Sequence, residues 1–484
     1  MTSLKPDQMA SNDADARALT ARRYEKMRPM ATSRRRVARE GLPPGPRWPA
    51  SLQSIALLRF RHQFVPWAHR RYGDVFTVRV LPQGRPLVLF TRPEHAREIF
   101  AGDPEVFHAG KGNAILGPMM GEHSLLLQDS AEHKRARKLL MPAFNGHALR
   151  EYAALVTDVA SAEAESWLPD ESFSALERMN RLTLEVILRV VFGVSDEARL
   201  TEMRPLVNKV VDVSPAILFG HGIPRLQKFG PWKAAVDNSV ELDRLIYAEI
   251  RERRAAVDLA ERTDVLSRLI RVGGGGLDGP DSDGLTDEEL RDQLVTLLLA
   301  GHETTATALA WALYELGRSP ALLARAQSAA LQGDDDHLEA VLKESMRIHP
   351  VIPMVVRTLM RPATVGGHHL PAGATVGPSI IIAHARGDNH PSPAEFRPDR
   401  FEGGQPATNT WIPFGGGVRR CIGAGFSLME GVVVLREVLS QFAVESLGAD
   451  RPKVRNITSV PGKGAMIRVT RHSGTEQNAF RAGT

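Results

Sequence analysis

The chain has 484 residues, 43% of them hydrophobic, with 61 Lys and Arg against 56 Asp and Glu. Ten of those basic residues and five of the acids fall in 1–40, which leaves 51 of each beyond; the formal net charge of +5 sits in the tail, and a nucleic-acid-binding body is disfavoured. The one cysteine excludes an intramolecular disulfide and fits a reducing compartment, and no apolar run approaches the ~20 residues of a membrane-spanning helix.

Residues 1–40 have no apolar signal core and carry early aspartates, so they read as a solvated, disordered tail on a soluble, cytoplasmic protein. "GLPPGPRWP" (41–49) ends that tail with proline-rich chain that cannot be helical. "DVFTVRVL" and "PLVLF" are predicted strands around a "PQGR" turn. From about 90 to 350 the pattern is helical, broken near "GPMMGEH", near "FGHGIPRLQKFGPW" and by the connector "GGGGLDGPDSDG" (273–284). Within it, "HKRARK" (133–138) sets His133 and Arg137 beside the apolar arc of Ala136, Leu139 and Leu140, with Lys134, Arg135 and Lys138 on the other side. A buried anion explains two cations on the core side.

"TDEE" (286–289) forms a capping box with Thr286 as N-cap, and the helix it opens meets no proline until Pro320. A helix so long and apolar is expected to cross the middle of the molecule. It contains "AGHETTA" (300–306), where Leu297, Ala300, Ala308 and Trp311 lie within about 40° of Thr304 on the helical wheel. Small residues there leave a notch, and threonine can bond back to the preceding turn. In "KESMR", Glu344 and Arg347 stand at i,i+3, and periodicity turns Arg347 away from the apolar face, as in a surface ion pair. Beyond 360, "ATVGGHHL" and "ATVGPSIIIA" read as strand-like pieces between loops. The stretch "FGGGVRRCIGAG" (414–425) then surrounds Cys421 with glycines and arginines just ahead of the apolar helix "FSLMEGVVVLREVLSQF". A thiol there favours the thiolate, as a nucleophile or as a metal ligand. The expected fold is mainly α with a small β portion, α+β by count: one large domain over 41–470, with tails at 1–40 and 471–484.

From about residue 41 to 470 the chain resembles the cytochrome P450 superfamily of haem-thiolate monooxygenases, of the soluble bacterial type. "FGGGVRRCIG" matches the ligand signature Phe-x-x-Gly-x-Arg-x-Cys-x-Gly at every fixed position. "AGHETT" is similar to the oxygen-activation motif, "ESMR" to Glu-x-x-Arg, and "FRPDRF" (396–401) to the segment supplying a second arginine, Arg400. The resemblance implies a single fold with the long central helix over a b-type haem. It implies that Cys421 is the axial ligand of the iron, that Phe414, Gly423 and Ala300 border the haem, and that His133, Arg137, Arg357 and Arg419 hold its propionates. Many relatives carry tryptophan where this chain has His133, and histidine can also bond a propionate. Glu344, Arg347 and Arg400 would form a structural ion network, and Thr304 and Glu303 the oxygen-activation pair.

The same resemblance implies insertion of one oxygen atom of O2 into an organic substrate. Electrons would come from NAD(P)H through a ferredoxin or flavodoxin-type donor and its reductase, since no nucleotide fingerprint or flavin domain is present. The pocket would draw on Ile115, Leu116, Phe219, Leu297, Ala300, Ile352 and Met354, whose apolar character suits a fatty acid, terpenoid or steroid-like substrate. A monomer is expected. Two competing readings are a haem-thiolate binding or sensor protein without turnover, which needs no Glu303–Thr304 pair, and a cysteine-nucleophile hydrolase, which would be colourless.

Overall fold

The computed structural model describes residues 41–81, 84–194, 196–211, 217, 225–272, 284–404 and 406–472. The longer helices begin with α1 (Ala50–Arg59), α2 (Arg61–Tyr72), α3 (Pro93–Ala101), α4 (Ser130–Leu140), α5 (Gly146–Glu165) and α6 (Ala175–Val190). They continue with α7 (Glu197–Val211), α8 (Gly230–Arg254), α9 (Val265–Val272), α10 (Asp287–Leu316), α11 (Pro320–Gln332), α12 (Asp335–Ile348) and α13 (Ala424–Leu439). The strands are β1 (Val75–Val80), β2 (Arg85–Phe90), β3 (Phe107–His108), β4 (Ser172–Ser174), β5 (Arg357–Leu359) and β6 (Ala363–Val365). β7 (His368–Leu370), β8 (Thr375–Pro378), β9 (Phe442–Ser446), β10 (Pro452–Arg455), β11 (Thr458–Pro461) and β12 (Met466–Arg471) complete them. The architecture is mainly α with a small β portion, as expected.

The described chain divides into two compact units, one drawn from Asn113–Ala143 and Ile187–Ala300, the other from 41–112, Phe144–Val186 and 301–472. In the smaller unit the described elements are helical. Its polar centre is Arg291, which donates to Asp243 Oδ1 (2.7 Å), Asp292 Oδ1 (2.8 Å) and Met120 O (3.2 Å). Gln293 and Thr296 bond the chain at 123–125, so the turn carrying Ile115 and Leu116 is fastened to the first half of α10.

The larger unit holds every strand described. Its main sheet runs β1-β2-β8-β5-β3, with β1 and β2 an antiparallel hairpin (Val75↔Phe90) and β2 and β8 parallel (Leu87↔Thr375). The open edge of β1 is dressed by side chains and loop rather than by a strand. Gln53 Oε1 of α1 accepts from Arg79 N (2.8 Å), Ser54 Oγ accepts from Leu81 N (2.9 Å), and Pro44 O accepts from Thr77 N (2.8 Å). A Cβ on Gly45 would stand 1.9 Å from Thr77 O, so only glycine lets that segment lie so close. One strand expectation is corrected: "ATVGPSIIIA" leaves the sheet at Pro378, and Ile380–Ala385 is a short helix. Ile380 there packs with Phe100 and Ile412, and burial overrides the β-preference of a branched run.

α10 opens on the expected capping box, with Thr286 N donating to Glu289 Oε2 (2.9 Å) and Glu289 N to Thr286 Oγ1 (3.2 Å). It runs 30 residues and stops before Gly317. On α12, Glu344 and Arg347 are almost wholly buried, so the surface position that periodicity gave Arg347 is corrected. Arg347 grips Glu344 with both Nε (2.7 Å) and Nη2 (2.8 Å), and Arg400 Nε (3.0 Å) and Arg397 N (2.8 Å) complete the carboxylate's partners. The loop at 384–400 is what covers this face, because Arg347 also donates to His384 O, Pro393 O and Glu395 O. Glu344→Gln leaves one buried and one half-buried guanidinium uncompensated and should cost about 3–5 kcal/mol. Denaturant midpoints read this directly, and an unshifted midpoint would show that the network carries no stability.

Candidate functional site

The loop before α13 holds Cys421 through backbone hydrogen bonds. Cys421 N donates to Phe414 O (2.9 Å), Arg420 N to Gly417 O (3.0 Å), and Gly415 N to Ile412 O (3.0 Å). Gly417 has φ 63, and a Cβ on it would lie 2.0 Å from Phe100 O, so the turn requires glycine both for its dihedral and for its contact with α3. The preceding residues are tied to α12: Trp411 Nε1 donates to Lys343 O (3.2 Å), and Ile412 N to His384 Nε2 (2.9 Å). His384 accepts there as the neutral ring, because burial first, and then the charges of His390 and Arg347, push its pKa down to about 3. The ion network and the cysteine loop are thus two ends of one hydrogen-bonded path. Phe414 packs edge-on to Trp411, with Arg420 over its ring.

Cysteine is among the most buried residue types, yet Cys421 is exposed on this rigid loop, two residues before the N-cap Gly423 of α13. An exposed thiol just ahead of a helix N-terminus suits a ligand brought to it from outside, which fits a thiolate-ligated haem. Arg419 is half-buried in the same loop, and Arg357 is buried on β5 with Nη1 donating to Val356 O (2.8 Å). In the smaller unit His133 is buried and Arg137 half-buried on α4, while Lys134, Arg135 and Lys138 are exposed. Arg135 is engaged with Glu289 (2.7 Å) and Gly284 O (2.8 Å), so it is an ion-paired residue as well as a surface charge.

α10 is buried over most of its length but open along one strip. Leu297 and Thr304 are half-buried and Ala300 exposed, whereas Ala308 and Trp311 on the same face are covered. At the strip the helix ladder shares its carbonyls. Thr304 Oγ1 (3.5 Å) and Thr305 Oγ1 (3.3 Å) both reach Gly301 O, and Thr183 Oγ1 donates to His302 O (3.0 Å). Such back-bonding loosens a helix. Glu303 is buried and turned elsewhere: it accepts from Thr458 Oγ1 (3.3 Å) and lies 3.6 Å from Arg455 Nε. Glu303 and Thr304 therefore face different neighbours. Of the apolar candidates, Ile115 is half-buried and Leu116 buried; Ile352 packs with the Phe100 cluster and Met354 with the cluster around Phe64 and Leu89. Phe219 lies outside the described residues.

Beneath the strip is a group that the sequence reading missed. Thr305 Oγ1 meets Ser427 Oγ (3.0 Å), and next to them Glu430 of α13 is buried with neither carboxylate oxygen hydrogen-bonded among the described residues. Its signal was a lone acid inside "FSLMEGVVVL".

A family model described as Cytochrome P450 matches residues 43–468. A protein named cytochrome P450 135A1 from Mycobacterium tuberculosis is 52% identical over 432 residues, covering 89% of this chain and 95% of its own. Cytochrome P450 135B1 from Mycobacterium bovis is 42% identical over 439 residues, covering 89% and 91%. Among solved structures, retinoic acid bound cyanobacterial CYP120A1 has a TM-score of 0.75 at 23% identity, covering 89% of this chain and 99% of that one. The cytochrome P450DA heme domain gives 0.77 at 24%, covering 91% and 100%. Fold and thiol loop together define a haem-thiolate protein. The chain belongs to the cytochrome P450 family, whose members are generally monooxygenases with haem held by a cysteine thiolate.

Burial pushes the Glu430 carboxyl up from 4.5 to about 8, and the nearby Thr305 hydroxyl offsets only part of this. The folded chain keeps a proton there that the unfolded chain releases, so this group's contribution to stability falls as pH rises from about 4.5 to about 8. Glu430→Gln should melt with the parent near pH 5 and above it beyond pH 8. Parallel melting curves at both pH values would remove the buried-acid account.

Proposed function

We propose that this chain is a monooxygenase that hydroxylates or epoxidises a lipophilic organic substrate of the fatty acid, terpenoid or steroid-like class. Electrons would come from NAD(P)H through separate proteins, a ferredoxin or flavodoxin-type donor with its reductase. The observation that carries the reading is the exposed Cys421 thiol on a loop fixed by backbone hydrogen bonds and tied to the Glu344 network. When bound, the haem supplies the redox chemistry of oxygen activation. In this reading Cys421 ligates the iron, Phe414, Gly423 and Ala300 border the macrocycle, and Arg357 and Arg419 bond its propionates, a role the family resemblance also gives to His133 and Arg137. The apolar side chains of Ile115, Leu116, Leu297, Ile352 and Met354 favour a lipophilic substrate over a small charged one. Cys421→Ser should retain some haem through the carboxylate contacts and lose the thiolate-specific spectrum of the reduced carbonyl complex. Persistence of that spectrum would mean another group holds the iron.

Thr304 is the proton-holding group of this reading. Its Oγ1 lies on the half-buried strip of α10, 3.5 Å from Gly301 O, where a hydroxyl can hold a proton beside a reactant. Glu303 acts at one remove: its contact with Arg455, a partly exposed residue, gives a route by which protons enter from solvent. Thr304→Ala should preserve haem content and NAD(P)H consumption while lowering product formed per NAD(P)H, the balance appearing as hydrogen peroxide. An unchanged ratio would reduce Thr304 to a packing residue. A sensor without turnover would form no product in either protein, so the same assay separates the two classes.

A further inference from the structure

Three imidazoles line one cavity of the larger unit, and its walls include neither Cys421 nor the open strip of α10. They come from His62 on α2, His349 at the end of α12 and His384 on the short helix Ile380–Ala385. The cavity holds about 120 Å³, room for a few waters or one small organic molecule. Trp311, Pro350, Ile381 and Pro452 give it an apolar lining. His349 lies face to face on Trp311, with ring centroids 3.8 Å apart and planes 8° from parallel. Its Nε2 is 2.7 Å from Glu315 Oε1, which places the ring proton on Nε2, because a carboxylate only accepts. In the neutral ring Nδ1 is then a bare acceptor, and this buried atom has no hydrogen-bond partner among the described residues.

We infer that this cavity is a second small-molecule site, for an uncharged alcohol or phenol whose hydroxyl donates to His349 Nδ1 while its apolar body rests among Trp311, Ile381 and the prolines. The polar groups around it select that chemistry. His62 already bonds Ser459 Oγ through Nε2 (2.9 Å), and burial, followed by the charges of Arg61 and His349, pushes its pKa down to about 4, so it brings no charge at neutral pH. His384 accepts from Ile412 N through Nε2, which leaves its Nδ1–H beside the carbonyls of Met346 and Arg347. Arg347 is in the wall, but all its N–H groups are engaged by Glu344 and by the carbonyls of His384, Pro393 and Glu395. No positively charged group of the wall is therefore open to an anion. Among the described residues the wall holds no Asp or Glu to receive a cation, and no three His, Cys, Asp or Glu side chains are placed to hold a metal ion. A hydrocarbon would suit the lining and leave Nδ1 without a donor.

The test is equilibrium dialysis of phenol and of benzene against the full-length, haem-loaded protein, with a bulky phenyl-substituted imidazole saturating the haem pocket as read from the haem spectrum. A single phenol should be retained per chain, more tightly than benzene. His349→Phe keeps a ring on Trp311 and removes the acceptor. It should weaken phenol about tenfold, as the loss of one hydrogen bond would, and leave benzene nearly unchanged. Ala385 lines the cavity from an exposed position, so Ala385→Phe fills the space without disturbing the core and should abolish retention of both ligands. The inference is overturned if the blocked parent retains no phenol, as when only water enters the cavity. It is equally overturned if the preference for phenol over benzene survives in His349→Phe, or if Ala385→Phe binds both as the parent does.

Discussion

Glu344 is a negative charge placed where water does not reach, and much of the larger unit is arranged to make that tolerable. Removing a carboxylate from water costs several kcal/mol unless its lone pairs are well used. Here they are used by a two-point contact from Arg347, by Arg400 and by a backbone N–H. The guanidinium groups in turn need acceptors, and they find them on the carbonyls of 384–400. A single buried charge thereby recruits a loop that has almost no regular structure and fixes it by directional hydrogen bonds. Fixing that loop places His384, His384 places Ile412, and the turn around Cys421 inherits its position.

The second constraint lies in α10, which must be both the interior scaffold and a surface. Its first half is buried around the Arg291 ion pairs, while its open strip is lined by small residues and hydroxyls that compete for helix carbonyls. The competition keeps the polar groups of the strip satisfied without adding bulk. Nearby, buried Glu303 lies beside the partly exposed Arg455, whereas burial raises the Glu430 carboxyl well above the ordinary carboxylate range.

How much of this was readable in the sequence follows from the range of each interaction. The capping box at Thr286, the β1–β2 hairpin and the glycine-rich turn at Cys421 are local, and their residue types declare them. The division of "HKRARK" into an inner and an outer face was also local. Arg347 was not, because the periodicity of α12 describes only apolar partners, and the chain that buries it arrives some fifty residues later. Glu430 escaped because one acid among the seven apolar residues of "FSLMEGVVVL" reads as core. Ile380–Ala385 misled through its β-branched side chains, which pack into two clusters, Ile380 with Phe100 and Ile382 with Phe64 and Leu89. The ion network itself became visible only through resemblance to a family, which supplied a pairing that spacing alone turned outward.

The treatment of the β1 edge has a consequence for the behaviour of the chain at high concentration. A sheet edge is a template, and an uncovered one invites strands from other molecules to add without limit. Here the acceptors laid along it come from Pro43 and Pro44, with Thr77 Oγ1 donating to Pro43 O and Thr77 N to Pro44 O, and proline has no N–H with which to continue a ladder. At the far edge, β3 is two residues long and offers almost nothing to copy. The sheet is terminated chemically on one side and by brevity on the other, so neither edge offers a free ladder for growth into fibres.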